Sequence, residues 1–156
     1  MPTFQEHVEQ AKSNFDCLSD FNQNMSYNFW DWQVTISFYT ALHLVNAHIF
    51  QKTGNSYTTH TQADSVINFA NVYSIAKLPE EQYLAYAKLQ MLSRRARYLM
   101  SEQRQTSFTN EKHFVKAITY LDKLISYFNA QYNLNFPKKT MSCNRFTETY
   151  NYIQQK

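Results

Sequence analysis

The amino-acid sequence predicts a single all-α domain, folded as an antiparallel bundle of four or five helices. Only one of the 156 residues is glycine and three are proline, whereas a β-rich domain needs turn residues about every 8–12 positions. Apolar residues make up 44% of the chain and aromatic residues 17%, which is too much for a solvated, disordered chain. Apolar side chains also recur three or four positions apart through most of the sequence, the spacing of one face of an α-helix. A helical bundle with short polar connections accounts for all three observations.

Two helices are expected in the first third of the chain. The first spans roughly 3–23, and its apolar positions are Phe4, Val8, Ala11, Phe15, Leu18 and Phe21. The second spans roughly 28–52 and is apolar on most sides, which predicts a place at the centre of the bundle or in an oligomer interface. Trp32, Ile36, Tyr39 and His43 share one of its faces. Gly54 follows this helix and suits a C-terminal cap.

Three more helices and a tail complete the predicted domain. The third helix is expected at about 61–76, the fourth from Pro79 to between 99 and 101, and the fifth at about 110–132. Proline in the first turn, followed by two carboxylates, favours the start of the fourth helix. The apolar residues of the fifth step alternately by four and three, as in an a/d seam, and they are Phe114, Ile118, Leu121, Ile125, Phe128 and Tyr132. The bundle domain is expected to cover 1–132, with 133–156 as a C-terminal tail in which one short helix is possible.

The composition excludes several classes of active site. One glycine cannot build a P-loop, a Rossmann phosphate loop or the nucleophile elbow of a serine hydrolase. The inward-facing Glu-x-x-His pairs of a di-iron bundle do not occur, and we expect neither a metal nor a cofactor. Cys17 and Cys143 match no zinc spacing and are expected to be reduced thiols. No apolar run approaches ~20 residues and the N-terminus does not resemble a signal peptide, so the sequence predicts a cytoplasmic protein without a membrane segment.

The positive charge of the chain is concentrated near the end of the predicted fourth helix. Between Lys88 and Arg104 there are five basic residues and one acidic residue, a net charge of +4 against +3 for the whole chain. The arginines of this basic segment are Arg94, Arg95, Arg97 and Arg104. Cations near a helix C-terminus complement its dipole, so a solvated helix end is one interpretation. The other is a phosphate-binding surface, because a guanidinium group matches phosphate oxygens with two parallel hydrogen bonds.

Two histidines are candidates for chemistry beside the arginines. His43 lies in the middle of the second helix and His60 in a polar connection before the third. The ordinary interpretation is a hydrogen-bonded core residue for His43 and a solvated loop residue for His60. Histidine is nevertheless the side chain best suited to proton transfer near neutral pH. Paired with an arginine that stabilises a pentacovalent phosphate, either histidine would support RNA cleavage by the 2′-hydroxyl.

The segment Asp31–Ala47, with its Phe38-Tyr39-Thr40-Ala41-Leu42-His43 run, resembles the second helix of HEPN-domain proteins. The similarity continues through Gly54, His60 and the Leu92–Tyr98 segment, and it covers about 28–125. The family name stands for higher eukaryotes and prokaryotes nucleotide-binding. The resemblance implies a helical bundle, commonly dimeric. Many of its members are metal-independent endoribonucleases of toxin–antitoxin, abortive-infection and CRISPR systems, and others are non-catalytic RNA-binding or interaction modules.

The catalytic motif of that family, an arginine followed after four to six residues by a histidine, does not occur in this chain. The resemblance therefore favours a non-catalytic RNA- or nucleotide-binding module of a bacterial defence or toxin–antitoxin system. We expect binding through Arg94, Arg95, Arg97, Tyr98 and Arg104. A homodimer is expected, and an antitoxin or nucleotidyltransferase is a candidate partner. Two alternatives stay open: a protein-interaction bundle with no nucleic-acid role, and a divergent metal-independent endoribonuclease that uses Arg97 with His43 or His60.

Overall fold

The predicted all-α bundle is confirmed by the computed structural model of the chain, which describes residues 1–25, 29–57, 59–98 and 109–156. Five helices and two short strands are described: α1 Phe4–Met25, α2 Trp30–Thr53, α3 His60–Ile67, α4 Glu80–Arg97, α5 Glu111–Tyr132, β1 Lys139–Met141 and β2 Ile153–Gln155. None of these helices combines the length and the apolar character that crossing a bilayer requires.

The apolar stripe of α1 is buried as predicted. The side chains of Val8, Ala11, Phe15 and Leu18 are almost fully buried, and α1 packs along α2. At its N-terminus, the Glu6 carboxylate accepts hydrogen bonds from the Thr3 backbone N–H at 2.7 Å and from its hydroxyl at 2.8 Å. The first of these bonds satisfies the backbone N–H of the residue before the helix, as the glutamate of a capping box does.

Helix α2 occupies the centre of the bundle, which confirms one of its two predicted positions. It packs against α1, α3, α4 and α5, and its buried side chains lie all around the helix. The predicted face is only partly correct, because Trp32 is 57% exposed and His43 is half-buried. Gly54 ends α2 as predicted: it has φ 72°, and its N–H donates to the Phe50 carbonyl at 2.8 Å.

Helix α3 ends at Ile67, nine residues before the predicted end at 76. Two asparagines turn the backbone away from the helix. The Asn68 side-chain oxygen accepts from the Ala70 N–H at 2.9 Å, and that of Asn71 accepts from the Tyr73 N–H at 3.2 Å. Asparagine side chains compete for backbone donors in this way and thereby stabilise turns at the expense of helix.

The predicted core face of α5 is confirmed. Of its six seam residues, five are almost fully buried and Tyr132 is half-buried. The helix begins with a capping box, in which the Asn110 side chain accepts from the His113 N–H and the His113 ring accepts from the Asn110 N–H. A capping box satisfies two otherwise unpaired donors at a helix start.

The C-terminal segment 133–156 contains two strands in place of the short helix that the sequence made possible there. β1 and β2 are parallel, with Lys139 opposite Ile153 and Met141 opposite Gln155. Proline 137 lacks the N–H that a helix would need, and the segment is instead tied to the bundle through side chains of α1 and α5. The Asp122 carboxylate accepts from the N–H groups of Asn151 and Tyr152 at 3.0 and 2.8 Å. The apolar side chains of this segment that join the core are Leu134, Phe136, Met141, Tyr150 and Ile153.

Candidate phosphate-binding site

Arg97, the last residue of α4, is held against aromatic side chains of α2. Its Nη1 donates to the Tyr39 hydroxyl at 3.2 Å, and its Nε donates to the Ser93 carbonyl at 3.4 Å. The guanidinium carbon lies 5.9 Å from the ring centre of Phe38, 5.7 Å from that of Tyr39 and 5.4 Å from that of Tyr98. A guanidinium group is attracted to aromatic faces at such distances. Arg97 is therefore fixed in position without a carboxylate partner among these contacts.

His60, the first residue of α3, lies beside the same aromatic group. Its ring centre is 5.7 Å from that of Phe38, so His60 and Arg97 both contact Phe38. Thr59 caps α3 by accepting a hydrogen bond from the Gln62 N–H at 3.4 Å, and this cap fixes where His60 begins the helix. Both members of one predicted histidine–arginine pair thus lie against the same ring, that of Phe38.

Asp64 and Gln90 add a polar pair that the sequence did not reveal. The Gln90 amide donates to the Asp64 carboxylate at 3.5 Å. Burial raises the pKa of the Asp64 carboxyl, while the hydrogen bond from Gln90 and the charges of Arg94 and His60 act in the opposite direction. A carboxylate and an amide on adjacent helices resemble solvated surface residues when only the sequence is considered. Their partnership becomes visible once α3 and α4 are placed together.

Two hydroxyl groups of α4 are buried in this region without a hydrogen-bond partner in the described part of the chain. They are the Tyr86 phenol and the Ser93 hydroxyl, and both side chains are completely buried. The Tyr86 ring packs on Phe38, with the ring centres 5.8 Å apart. Burial raises the pKa of Tyr86, and the nearby Asp64 charge raises it further while Arg94 lowers it. The phenol is therefore a neutral donor close to the charged groups of the site.

The other predicted binding residues have different surroundings. Arg94 is exposed, and neither Arg94 nor Arg97 belongs to any of the three ion pairs within 4.0 Å among the described residues. Arg95 lies on the side of α5, where its charge lowers the pKa of His113, in addition to the larger effect of burial. The Tyr98 ring is 59% exposed beside Arg97. Arg104 lies outside the described residues.

His43 belongs to a second cluster, near the N-terminus of α1. Its Nδ1 lies 3.2 Å from Nδ1 of His7, a distance at which one ring donates to the other, and His7 Nε2 lies 3.4 Å from the Ser56 hydroxyl. Burial lowers the pKa of both histidines, and the charge of His7 lowers that of His43 further. His43 therefore has a histidine partner of its own, and its contacts do not include Arg97.

No protein-family model, no curated protein and no solved structure matches this chain. Within the described ranges, no group of three or more histidine, cysteine, aspartate or glutamate side chains is placed to hold a metal ion. What the site does must therefore be inferred from its own geometry. That geometry combines two arginines that have no ion-pair partner among the described residues, exposed aromatic surface, one histidine and one partly buried carboxyl group.

Proposed function

We propose that this chain is a non-catalytic, HEPN-like module that binds RNA or a nucleotide through a phosphate group at Arg94 and Arg97. The observation that carries the proposal is the arrangement of Arg97. Two of the five N–H donors of its guanidinium group are used by Tyr39 and Ser93, and within the described part of the chain the other three have no acceptor and can serve a ligand. Because Tyr39 already orients the group, little side-chain freedom remains to be lost on binding.

The neighbouring residues supply what a nucleotide needs beside its phosphate. Arg94 is exposed one turn before Arg97 and adds a second positive charge. The exposed Tyr98 ring offers a surface on which a base can stack, an interaction that tolerates any base. The Asp64 carboxylate would repel a phosphate but accepts hydrogen bonds from sugar hydroxyls or base amino groups. The site therefore suits a ligand with one anionic end and one end rich in hydrogen-bond donors.

An endoribonuclease is the second candidate, and the contact that Arg97 and His60 share with Phe38 favours it. His60 would have to act as the general base beside Arg97, because His43 is engaged by His7. Binding is the preferred proposal, since it requires only the arginines, the aromatic rings and the carboxyl group already in place. Incubating the chain with RNA in the presence of a chelator distinguishes the binding module from the endoribonuclease. Cleavage by the parent that disappears in His60→Ala would favour the nuclease.

The binding proposal is tested by fluorescence anisotropy with a short labelled single-stranded RNA and with labelled ATP. Arg94→Ala/Arg97→Ala should weaken binding at least about 100-fold, since two charge-assisted hydrogen bonds of about 1.5 kcal/mol or more each together contribute about 3 kcal/mol or more. For RNA the slope of log affinity against log salt should also become shallower, by about 0.7 for each lost phosphate contact. Lys52→Ala/Lys138→Ala removes the same charge from two exposed sites elsewhere and should bind like the parent. Equal affinity for the parent and the double arginine variant would disprove the proposal.

The biological setting is a prediction from the resemblance. It comprises a bacterial defence or toxin–antitoxin system, an antitoxin or nucleotidyltransferase partner, and a cytoplasmic location. Sequencing the genes on either side of this one tests it directly. A neighbouring nucleotidyltransferase or antitoxin gene is the expected result.

A further inference from the structure

The connection between α3 and α4 exposes large apolar side chains. Val72 is 73% exposed, Tyr73 94% and Ile75 71%. Phe69 at the start of the connection and Leu84 on the first turns of α4 are exposed to a lesser degree, at 37% and 39%. The ring of Phe69 contacts that of Tyr83, with the centres 5.6 Å apart, and so joins the connection to α4. We call the set Phe69, Val72, Tyr73, Ile75 and Leu84 the apolar patch.

The backbone beneath the apolar patch is well ordered by hydrogen bonds. Besides the two turns at Asn68 and Asn71, the Asn71 amide donates to the Ser65 carbonyl at 3.0 Å. The Leu78 N–H donates to the Ile67 carbonyl at 2.9 Å, which closes the base of the connection. From α2, His48 Nε2 donates to the Ala76 carbonyl at 2.9 Å. The exposed side chains thus project from a preformed surface, and binding there would cost little ordering entropy.

The area of the apolar patch suits a stable protein interface. At about 150–250 Å² for a large side chain, the exposed fractions amount to roughly 500 Å² of apolar surface. A standard interface buries about 800 Å² on each partner, of which somewhat more than half is apolar. The patch therefore supplies about the whole apolar content of one side of such an interface.

The charges beside the apolar patch favour a second copy of the chain as the partner. Lys77 and Glu80 are both exposed and of opposite sign, and neither belongs to an ion pair within 4.0 Å among the described residues. The next carboxylate, Glu81, is already paired with Lys123 at 2.8 Å. In a twofold dimer the same surface meets itself, so a patch followed closely in the chain by one exposed cation and one exposed anion can be complementary to its own copy.

We propose that two copies of this chain pair through the apolar patch about a twofold axis, with Lys77 of one copy beside Glu80 of the other. Arg97 lies at the opposite end of α4, about 25 Å away at 1.5 Å per residue. Pairing would leave both phosphate sites open. The proposal does not depend on phosphate binding, and each can fail without the other.

Light scattering coupled to size-exclusion chromatography tests the pairing over a range of protein concentrations. The parent should have twice the chain mass of 18.6 kDa, and Tyr73→Lys should dissociate at a concentration at least about 100-fold higher. Met91→Lys changes an apolar residue of α4 that is 66% exposed and lies outside the patch, and it should remain a dimer. A parent that is monomeric at all concentrations, or a Met91→Lys variant that dissociates as readily as Tyr73→Lys, would overturn the proposal.

A charge exchange tests the identity of the partner. Lys77→Glu and Glu80→Lys should each weaken dimerisation about tenfold, because each places like charges opposite one another. The double variant Lys77→Glu/Glu80→Lys should recover the parent dissociation constant. Recovery is expected only when both charges face a copy of the same surface. If the double variant dimerises more weakly than either single variant, the twofold arrangement is wrong.

RNA binding by Tyr73→Lys should match that of the parent. This control distinguishes an error in the dimer proposal from an error in the phosphate-site proposal.

Discussion

The hydrogen bond between Tyr39 and Arg97 offers a direct test of whether the phosphate site is preorganised. Tyr39→Phe removes the hydroxyl that accepts from Arg97 Nη1 at 3.2 Å and keeps the ring that lies 5.7 Å from the guanidinium carbon. The charge of the site is unchanged. Any loss of affinity in this variant therefore reports on the orientation of Arg97.

The size of the effect follows from the freedom that Arg97 regains. Ordering a long side chain on binding costs about 0.5–1.5 kcal/mol, and about 1.4 kcal/mol corresponds to a factor of ten. Affinity for RNA or nucleotide should therefore fall about two- to twelvefold in Tyr39→Phe. The attraction between the ring and the guanidinium group, about 0.5–1 kcal/mol at an exposed site, is retained and keeps the loss below that of Arg97→Ala.

The assay is a titration of labelled RNA with the parent, Tyr39→Phe, Arg97→Ala and a control, Tyr120→Phe. Tyr120 is a suitable control because its ring also lies beside a cation, 5.8 Å from the Lys88 amine, on a different face of α4. The control should bind within about twofold of the parent. Were Tyr39→Phe to bind as tightly as the parent while Arg97→Ala lost affinity, the phenol would not orient the arginine, and the argument from preorganisation would be refuted.

Two further predictions concern stability. Asp122→Ala should lower the free energy of unfolding by about 2–4 kcal/mol in urea titrations, because the half-buried hydrogen bonds from Asn151 and Tyr152 lose their charged acceptor. Asp122→Asn keeps one acceptor oxygen and should lose about half as much. Equal losses in the two variants would contradict this explanation. Thermal unfolding should shift to lower temperature as the pH falls below about 6.5. His7, His43 and His48 have pKa values lowered chiefly by burial, so the unfolded chain binds more protons there and is favoured. Asp64 has a raised pKa, so the folded chain binds more protons at that carboxyl than the unfolded chain does. Its protonation at lower pH therefore favours the folded state. His7→Gln/His43→Gln should flatten the dependence, and an unchanged slope would show that these rings do not cause it.

The helices were predictable from the sequence because their apolar residues repeat at a local spacing. The a/d seam of α5 and the stripe of α1 face the core as expected, and Gly54 ends α2 as expected. The end of α3 is not predictable from the spacing, since Ala70 and Tyr73 continue it while Asn68 and Asn71 divert the backbone. The spacing of apolar residues carries no information about the competition between asparagine side chains and the helix for backbone N–H groups.

The candidate site was predictable only in part, for a different reason. Arg97 and His60 were identified by residue type, and the structure places both against Phe38. Asp64 and Gln90 are not identifiable from the sequence, because the pattern around a polar residue on a helix is the same whether the side chain faces a buried partner or solvent. The hydrogen-bonded partner of His43 is not predictable for the same reason: His7 lies 36 positions earlier in the chain, and no local spacing connects them.

The attachment of the C-terminal segment has a consequence for how the chain folds. The Asn22 side chain of α1 accepts from the Ser142 N–H at 2.7 Å, across 120 positions of sequence, and Ser19 donates to the Thr140 carbonyl across 121. During synthesis α1 emerges long before its partners do. Contacts of such high sequence separation slow folding, because the entropy of closing a long loop must be lost before they form. We expect the five helices to collapse first and the C-terminal segment, whose contacts with α1 span the longest stretches of sequence, to dock last.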